Sequence, residues 1–334
     1  MPVSDAASSA TPFDDVRDLA MRRVEPDEAP SKSVREALLE MGREGDFGRL
    51  GEAAEWLARW QGRYPPRIEN ATLALFAGAH GIVGDKISLS SDASTKTRVE
   101  SLRGGKAPLS AIATQVGANI RIFELALDQP TADFTESPAM TERECAATIA
   151  YGFEALEGQP DVLALGVLGA GIGTSAAAVA CALYGGTPDY WVRPGPHTPR
   201  EVSAARTELV NAALKKHRGH LDDPLEALRC LGGRELAACV GAILAARIQS
   251  VPVVLDGFAT TIAAGVVHAI NPKAVAHVLP GHVTKRPAHE AALERIDMRP
   301  LLPFEFNTGG GMGSAAAVGV LQTACAPFLG QPAS

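Results

Sequence analysis

The sequence contains no C-x-x-C pair, no H-x-x-x-H or H-E-x-x-H spacing, and no apolar run close to the ~20 residues that a membrane helix needs. The five cysteines, Cys145, Cys181, Cys230, Cys239 and Cys325, are odd in number and scattered. They read as reduced, buried thiols, which excludes a disulfide framework and a thiolate metal site. The eight histidines lack the helical spacing of a zinc site, so neither a metal nor another cofactor is expected. Positive charge is in deficit as well: 31 Lys and Arg against 38 Asp and Glu leave a net charge of −7. That balance argues against general nucleic-acid binding, which needs a cationic surface. The N-terminus, MPVSDAASSATPFDDVRD, has no cationic n-region and no apolar h-region, so a cytoplasmic location and no membrane partner are expected.

What the chain does contain is glycine in two telling places. DVLALGVLGAGIGTSAAAVACALYGG spans residues 161–186, and LLPFEFNTGGGMGSAAAVGVL spans residues 301–321. Each reads as a buried strand, a glycine turn and a helix opening on small residues, a geometry that lets backbone N–H groups approach an anion. Between Gly166 and Gly173, and between Thr308 and Gly313, there is no carboxylate, Lys or His. The turns are suited to holding a phosphorylated small molecule, but neither contains an acid–base group.

The 46% hydrophobic and 21% charged composition is that of an ordinary globular chain. Residues 1–12 read as a flexible N-terminus and 13–65 as a helical lobe, to which the C-terminal helix is joined. Residues 66–330 read as an α/β domain. Its short apolar runs are Thr72–Phe76, Ile120–Leu127, Asp161–Val167, Val251–Leu255, Ala274–Leu279 and Leu301–Phe306. Most are continuous rather than alternating, as in strands covered on both faces. Helical segments at Glu142–Leu156, Pro199–His217, Arg234–Ile248 and Thr260–Ile270 separate them. The alternation predicts a doubly wound, mainly parallel sheet with ligands at the carboxyl ends of its strands.

Candidate ligand residues follow from that placement. Gly169, Gly171 and Gly173 form the first turn, where Thr174 either caps the helix or meets phosphate. Gly309, Gly311 and Gly313 form the second. Asp256 follows the apolar run VPVVL and is either a helix cap or a ligand-orienting carboxylate. His80, in FAGAHG, is either a structural hydrogen-bonding residue or part of the site. In TKTRVESLRGGK, Lys96, Arg98, Arg103 and Lys106 are either a solvated face or a cationic rim for an anion. The partial G-x-G pattern also admits a nucleotide-dependent dehydrogenase, with nothing further in its favour.

FAGAHGI, HLDDPLEALRCLGGRELAACVGAILAAR at 220–247, VPVVLDGF, and PGHV followed by the terminal glycine turn occur in this order. With this series the chain resembles the nicotinate-nucleotide:dimethylbenzimidazole phosphoribosyltransferases of cobalamin biosynthesis. The resemblance runs from about Phe13 to Ala324 and implies a Rossmann-like parallel sheet, a small helical lobe and a homodimer. It also implies transfer of phosphoribose from nicotinate mononucleotide to a benzimidazole nitrogen, with release of nicotinate. The family's terminal turn reads Gly-Glu-Gly, its Glu taking the acceptor's proton, whereas here it reads Gly309-Gly310-Gly311. The family's other turn begins Gly-Glu-Met-Gly; here it is Gly166-Val167-Leu168-Gly169. A Lys-Pro pair near Gly42 and a Gln in the segment SSDASTKTRVE are missing too. Glu305 remains as a candidate base, although five extended residues separate it from Gly310 by roughly 16 Å. Three readings stay open: a transferase whose acceptor needs no strong base, a non-catalytic paralogue that binds a nucleotide or aromatic base, and a structural partner that dimerises with an active paralogue.

Overall fold

The computed structural model describes residues 11–43, 45–84, 87–88, 91–193, 198–307 and 309–329. Thr308 and nearly all of the expected flexible N-terminus lie outside them. Five strands, β1 (Ala71–Ala77), β2 (Ala118–Glu124), β3 (Val162–Leu168), β4 (Val253–Leu255) and β5 (Val278–Pro280), form one sheet. Their order is β2-β1-β3-β4-β5 and every pairing is parallel. The strand order reverses between β1 and β3, which makes the carboxyl ends of these two strands the switch point where such sheets place ligands.

The helices are α1 (Pro12–Met21), α2 (Glu28–Glu40), α3 (Gly48–Gln61), α4 (Asp92–Arg103), α5 (Pro108–Gln115), α6 (Glu142–Tyr151) and α7 (Ile172–Tyr184). They continue with α8 (Pro188–Val192), α9 (Arg200–Lys216), α10 (Pro224–Leu231), α11 (Arg234–Ile248), α12 (Phe258–Ile270), α13 (Pro287–Arg295) and α14 (Met312–Cys325). The strand residues alternate between two cores, as the two-residue period of a strand requires. Phe76, Leu165 and Leu255 face α1 and α6–α13, while Leu75, Ala164 and Val254 face α2–α5 and α14. β1 and β3 are buried along almost their whole length, which is why their sequences run apolar without alternation. The doubly wound parallel sheet is therefore present. The segment 13–65 is divided by its contacts: α1 packs on α6, whereas α2 and α3 pack on each other and α3 on α14.

One expected strand does not form. Leu301–Phe306 forms an isolated bridge between Leu302 and His282 and backbone hydrogen bonds to Pro280 and Val283, but no regular strand. Pro303 removes a ladder donor, and Glu305 adopts φ +55°, a left-handed conformation that breaks a strand. The front of the run Ala274–Leu279 is likewise a 3₁₀ turn, Pro272–Val275, leaving only Val278 and Leu279 to join β5.

Candidate active site

The two glycine turns touch. A Cβ on Gly166 would lie 2.6 Å from the Cα of Gly311, so the close approach of β3 to the terminal turn requires glycine there. Ser314 fastens the same contact, its hydroxyl donating to the Leu165 carbonyl at 2.9 Å. Between the turns lies a cavity of about 190 Å³, lined by Gly169, Gly173, Asp256, Gly309 and Gly310 together with Arg286. A second, more apolar slot of about 180 Å³ adjoins it, walled by Leu102, Pro108, Leu109, Leu168 and Met312. Arg98, Gly309 and Gly310 border both spaces.

The helices that rise from the two turns differ in how their N-termini are satisfied. Asp256, just beyond β4, is buried, and its carboxylate accepts the N–H groups of Gly311 at 2.9 Å, Gly313 at 2.8 Å and Ser314 at 3.3 Å. It caps α14 across the sheet rather than a helix of its own. His282 Nε2 stands 3.7 Å from the same carboxylate. Burial would raise the Asp256 pKa, but His282 and the N–H groups of Gly311 and Gly313 outweigh it and hold the group below the usual carboxylate range. A carboxylate so engaged is a weak base. The N-terminus of α7, by contrast, begins at Gly171 with φ +85° and has no side-chain cap. Its positive dipole end therefore faces the cavity at Gly173 without an internal anion.

Arg286 reinforces that end. A Cβ on Gly173 would sit 3.2 Å from Arg286 Nη1, and the guanidinium lies 5.0 Å from the Phe258 ring centroid. Its Nε is sealed from solvent with no acceptor, and no carboxylate pairs with it among the described residues. Burial, with Arg206 close by, pushes the Arg286 pKa down to about 10. Arg206 donates to the Ile87 carbonyl at 2.7 Å, and burial lowers its pKa too. A tight cationic corner of this kind, beside an uncapped helix N-terminus, is suited to a phosphate.

The remaining sequence candidates lie elsewhere. His80 is buried, and its Nε2 meets the equally buried Glu235 at 3.0 Å beneath Gly171. That pair packs behind the turn and does not line the cavity. Thr174 is buried in the first turn of α7, and Gly313 is pressed against the His282 ring. Glu305 is exposed, pairs with Lys285 at 3.2 Å and lines an outer groove rather than the space beside Gly310. In the cationic stretch, Lys96 pairs with Asp128 and Arg103 with Glu124, whereas Arg98 reaches the cavity. Arg286 carried no usable sequence signal beyond a basic residue ahead of a helix. Among the described residues no cluster of three or more His, Cys, Asp or Glu is placed to hold a metal.

A family model described as "Phosphoribosyltransferase" matches residues 25–330. The nicotinate-nucleotide–dimethylbenzimidazole phosphoribosyltransferase of Rhizobium meliloti (strain 1021) is 43% identical over 325 residues, 97% of this chain and 96% of that one. The chain belongs to this phosphoribosyltransferase family. The enzyme of the same name from Brucella canis is 41% identical over 319 residues, 95% of this chain and 94% of its own. The crystal structure of the Thermus thermophilus enzyme superposes with a TM-score of 0.80 at 28% identity, covering 89% of this chain and 95% of that one. The two-compartment cleft of this family member opens beyond the carboxyl ends of β3 and β4, beside the switch point rather than at it.

Proposed function

We propose that the chain transfers phosphoribose from nicotinate mononucleotide to an aromatic base in the synthesis of a cobamide lower ligand. The observation that carries this reading is the pairing of a polar cavity, formed at the uncapped α7 N-terminus beside Arg286, with an apolar slot across Gly309 and Gly310. The phosphate of the donor belongs at the α7 end, the ribose between the glycine turns, and the flat acceptor in the slot. Gly310 leaves the acceptor without the family's carboxylate, which makes this a divergent member. Incubation with nicotinate mononucleotide and dimethylbenzimidazole should release nicotinate and form the ribosyl phosphate product, both followed by chromatography. The expected rate is about 10²–10⁴ below that of a relative with a positioned base. A rate equal to such a relative's would overturn the divergent-site reading.

A second reading, a non-catalytic paralogue that binds a nucleotide or aromatic base, draws on one observation: the acidic group lining the cavity, Asp256, is fully engaged. Nicotinate mononucleotide binding with no release of nicotinate would favour it. The chain is read as a cytoplasmic homodimer, or as a heterodimer with an active paralogue. Light scattering that reports a monomer both alone and with that paralogue would exclude both assemblies.

A further inference from the structure

Arg98 stands at the seam between the two compartments. Three residues before it on α4, the Thr95 hydroxyl accepts the Ala170 N–H at 3.2 Å, which ties the helix to the turn after β3. From that anchor Arg98 borders the polar cavity beside Val167 and the apolar slot beside Leu102 and Leu168. No carboxylate pairs with it among the described residues, unlike Lys96 and Arg103 on the same helix. Its guanidinium also occupies the space above Gly310: a Cβ there would lie 3.1 Å from Nη2.

The charged and titratable groups around the two spaces leave that cation unbalanced. Arg286 shares the polar cavity and is cationic too. Asp256 is bound by three backbone N–H groups, with His282 behind it. Neighbouring protein disfavours the charge on Arg98, yet an arginine keeps its proton at any working pH. The slot thus offers an apolar bed for a ring and a fixed positive charge at its mouth, with no group to receive a proton.

We propose that Arg98 determines acceptor specificity, selecting flat aromatic molecules that enter the slot as anions with the nucleophilic nitrogen or oxygen already deprotonated. This rests on the phosphoribosyl-transfer reading above. The acceptor's proton goes to solvent before it is seated. Its lone pair forms the bond to C1′ of the ribose while the C1′–N bond of nicotinate mononucleotide breaks. Nicotinate leaves with the bonding pair, and its pyridinium nitrogen becomes neutral. No side chain takes up a proton in this sequence, which suits a turn that carries glycine at 310.

The test uses 4-nitrophenol, whose neutral and anionic forms differ in colour, titrated with the full chain. Bound to the wild type, its pKa should fall by about one unit or more, as for an acid placed within a few ångströms of an unpaired cation. Arg98→Met should abolish that shift and weaken binding of the anion about ten- to a hundredfold. Arg98→Lys should retain most of both, and Lys96→Met, on the exposed and paired side of α4, should behave as wild type. Should Arg98→Met fail to fold, Arg98→Gln makes the same comparison. In parallel, transfer from nicotinate mononucleotide is measured to dimethylbenzimidazole and to a nitrobenzimidazole, whose N–H is more acidic. The wild type should favour the acidic acceptor, and Arg98→Met should lose that preference. A probe pKa unchanged on binding, or shifted equally in wild type and Arg98→Met, overturns the role of Arg98 whatever the turnover. An Arg98-dependent shift with no transfer to either acceptor instead overturns the transfer reading and leaves Arg98 as the anion contact of a binding protein.

Discussion

The carboxylate of Asp256 has two oxygens, and the N–H groups of the terminal turn engage both. Its role as counter-ion to α14 was half visible in the sequence, because a residue just past a buried strand reaches the ligand edge of the sheet. What it bonds there could not be read, since its partners lie 55 to 58 positions away. Asp256→Asn would replace an acceptor-only group by an amide whose NH₂ faces the N–H donors of the terminal turn. We expect a loss of about 1–3 kcal/mol in unfolding free energy, the cost of leaving buried N–H donors without their acceptor, measured by urea denaturation. A variant of wild-type stability that no longer binds nicotinate mononucleotide would show instead that Asp256 serves the ligand. Gly310 is the complementary case. Its φ of +74° and the nearness of Arg98 and Leu168 show that the turn is built around a residue without a side chain.

At the scale of elements, the helices and most strands were legible because burial on both sides of a parallel sheet writes a continuous apolar run. The failures have local causes. Leu301–Phe306 has the composition of a strand, but Pro303 and the left-handed Glu305 deny it a ladder. The cationic rim could not be resolved into a single useful residue without the rotational phase of α4, which the Thr95 contact sets. Close helix packing was equally hidden. In α11, a Cβ on Gly241 would lie 1.7 Å from the Ile149 carbonyl of α6, so these helices meet at backbone distance. Gly241→Ala should therefore destabilise the chain by about 1–3 kcal/mol, overpacking outweighing the gain of up to ~1 kcal/mol in helix propensity. Gly219→Ala, at an open position, should change unfolding free energy by less than about 1 kcal/mol. Equal effects of the two changes would refute the close-packing argument.

On the scale of the whole molecule, five histidines are buried among the described residues, and part of the response to acid follows from them. His277 lies against Trp60, with ring centroids 5.4 Å apart, and its Nε2 bonds the Ile243 carbonyl at 2.9 Å. His289 meets the Thr261 hydroxyl at 3.0 Å and receives the Thr284 N–H at 3.1 Å. Burial pushes both pKa values down to about 3. The unfolded chain binds protons at these rings below about pH 6.5, whereas the folded chain does not until much lower pH. The unfolded state therefore holds more protons through that window, and stability rises with pH across it. Asp256 acts in the same direction at still lower pH: its depressed folded pKa contributes stability that is lost as pH falls through that value. Between about pH 6 and about pH 4, each histidine should remove up to about 1.4 kcal/mol of unfolding free energy per pH unit. A series of urea midpoints over that range should fall steadily. His289→Asn should lower overall stability but flatten the slope, because one of the rings whose pKa burial lowers is gone, while His277, His217 and His268 remain. Midpoints that hold constant down to about pH 4 would mean that these rings titrate alike in both states, and that water reaches them in the folded chain.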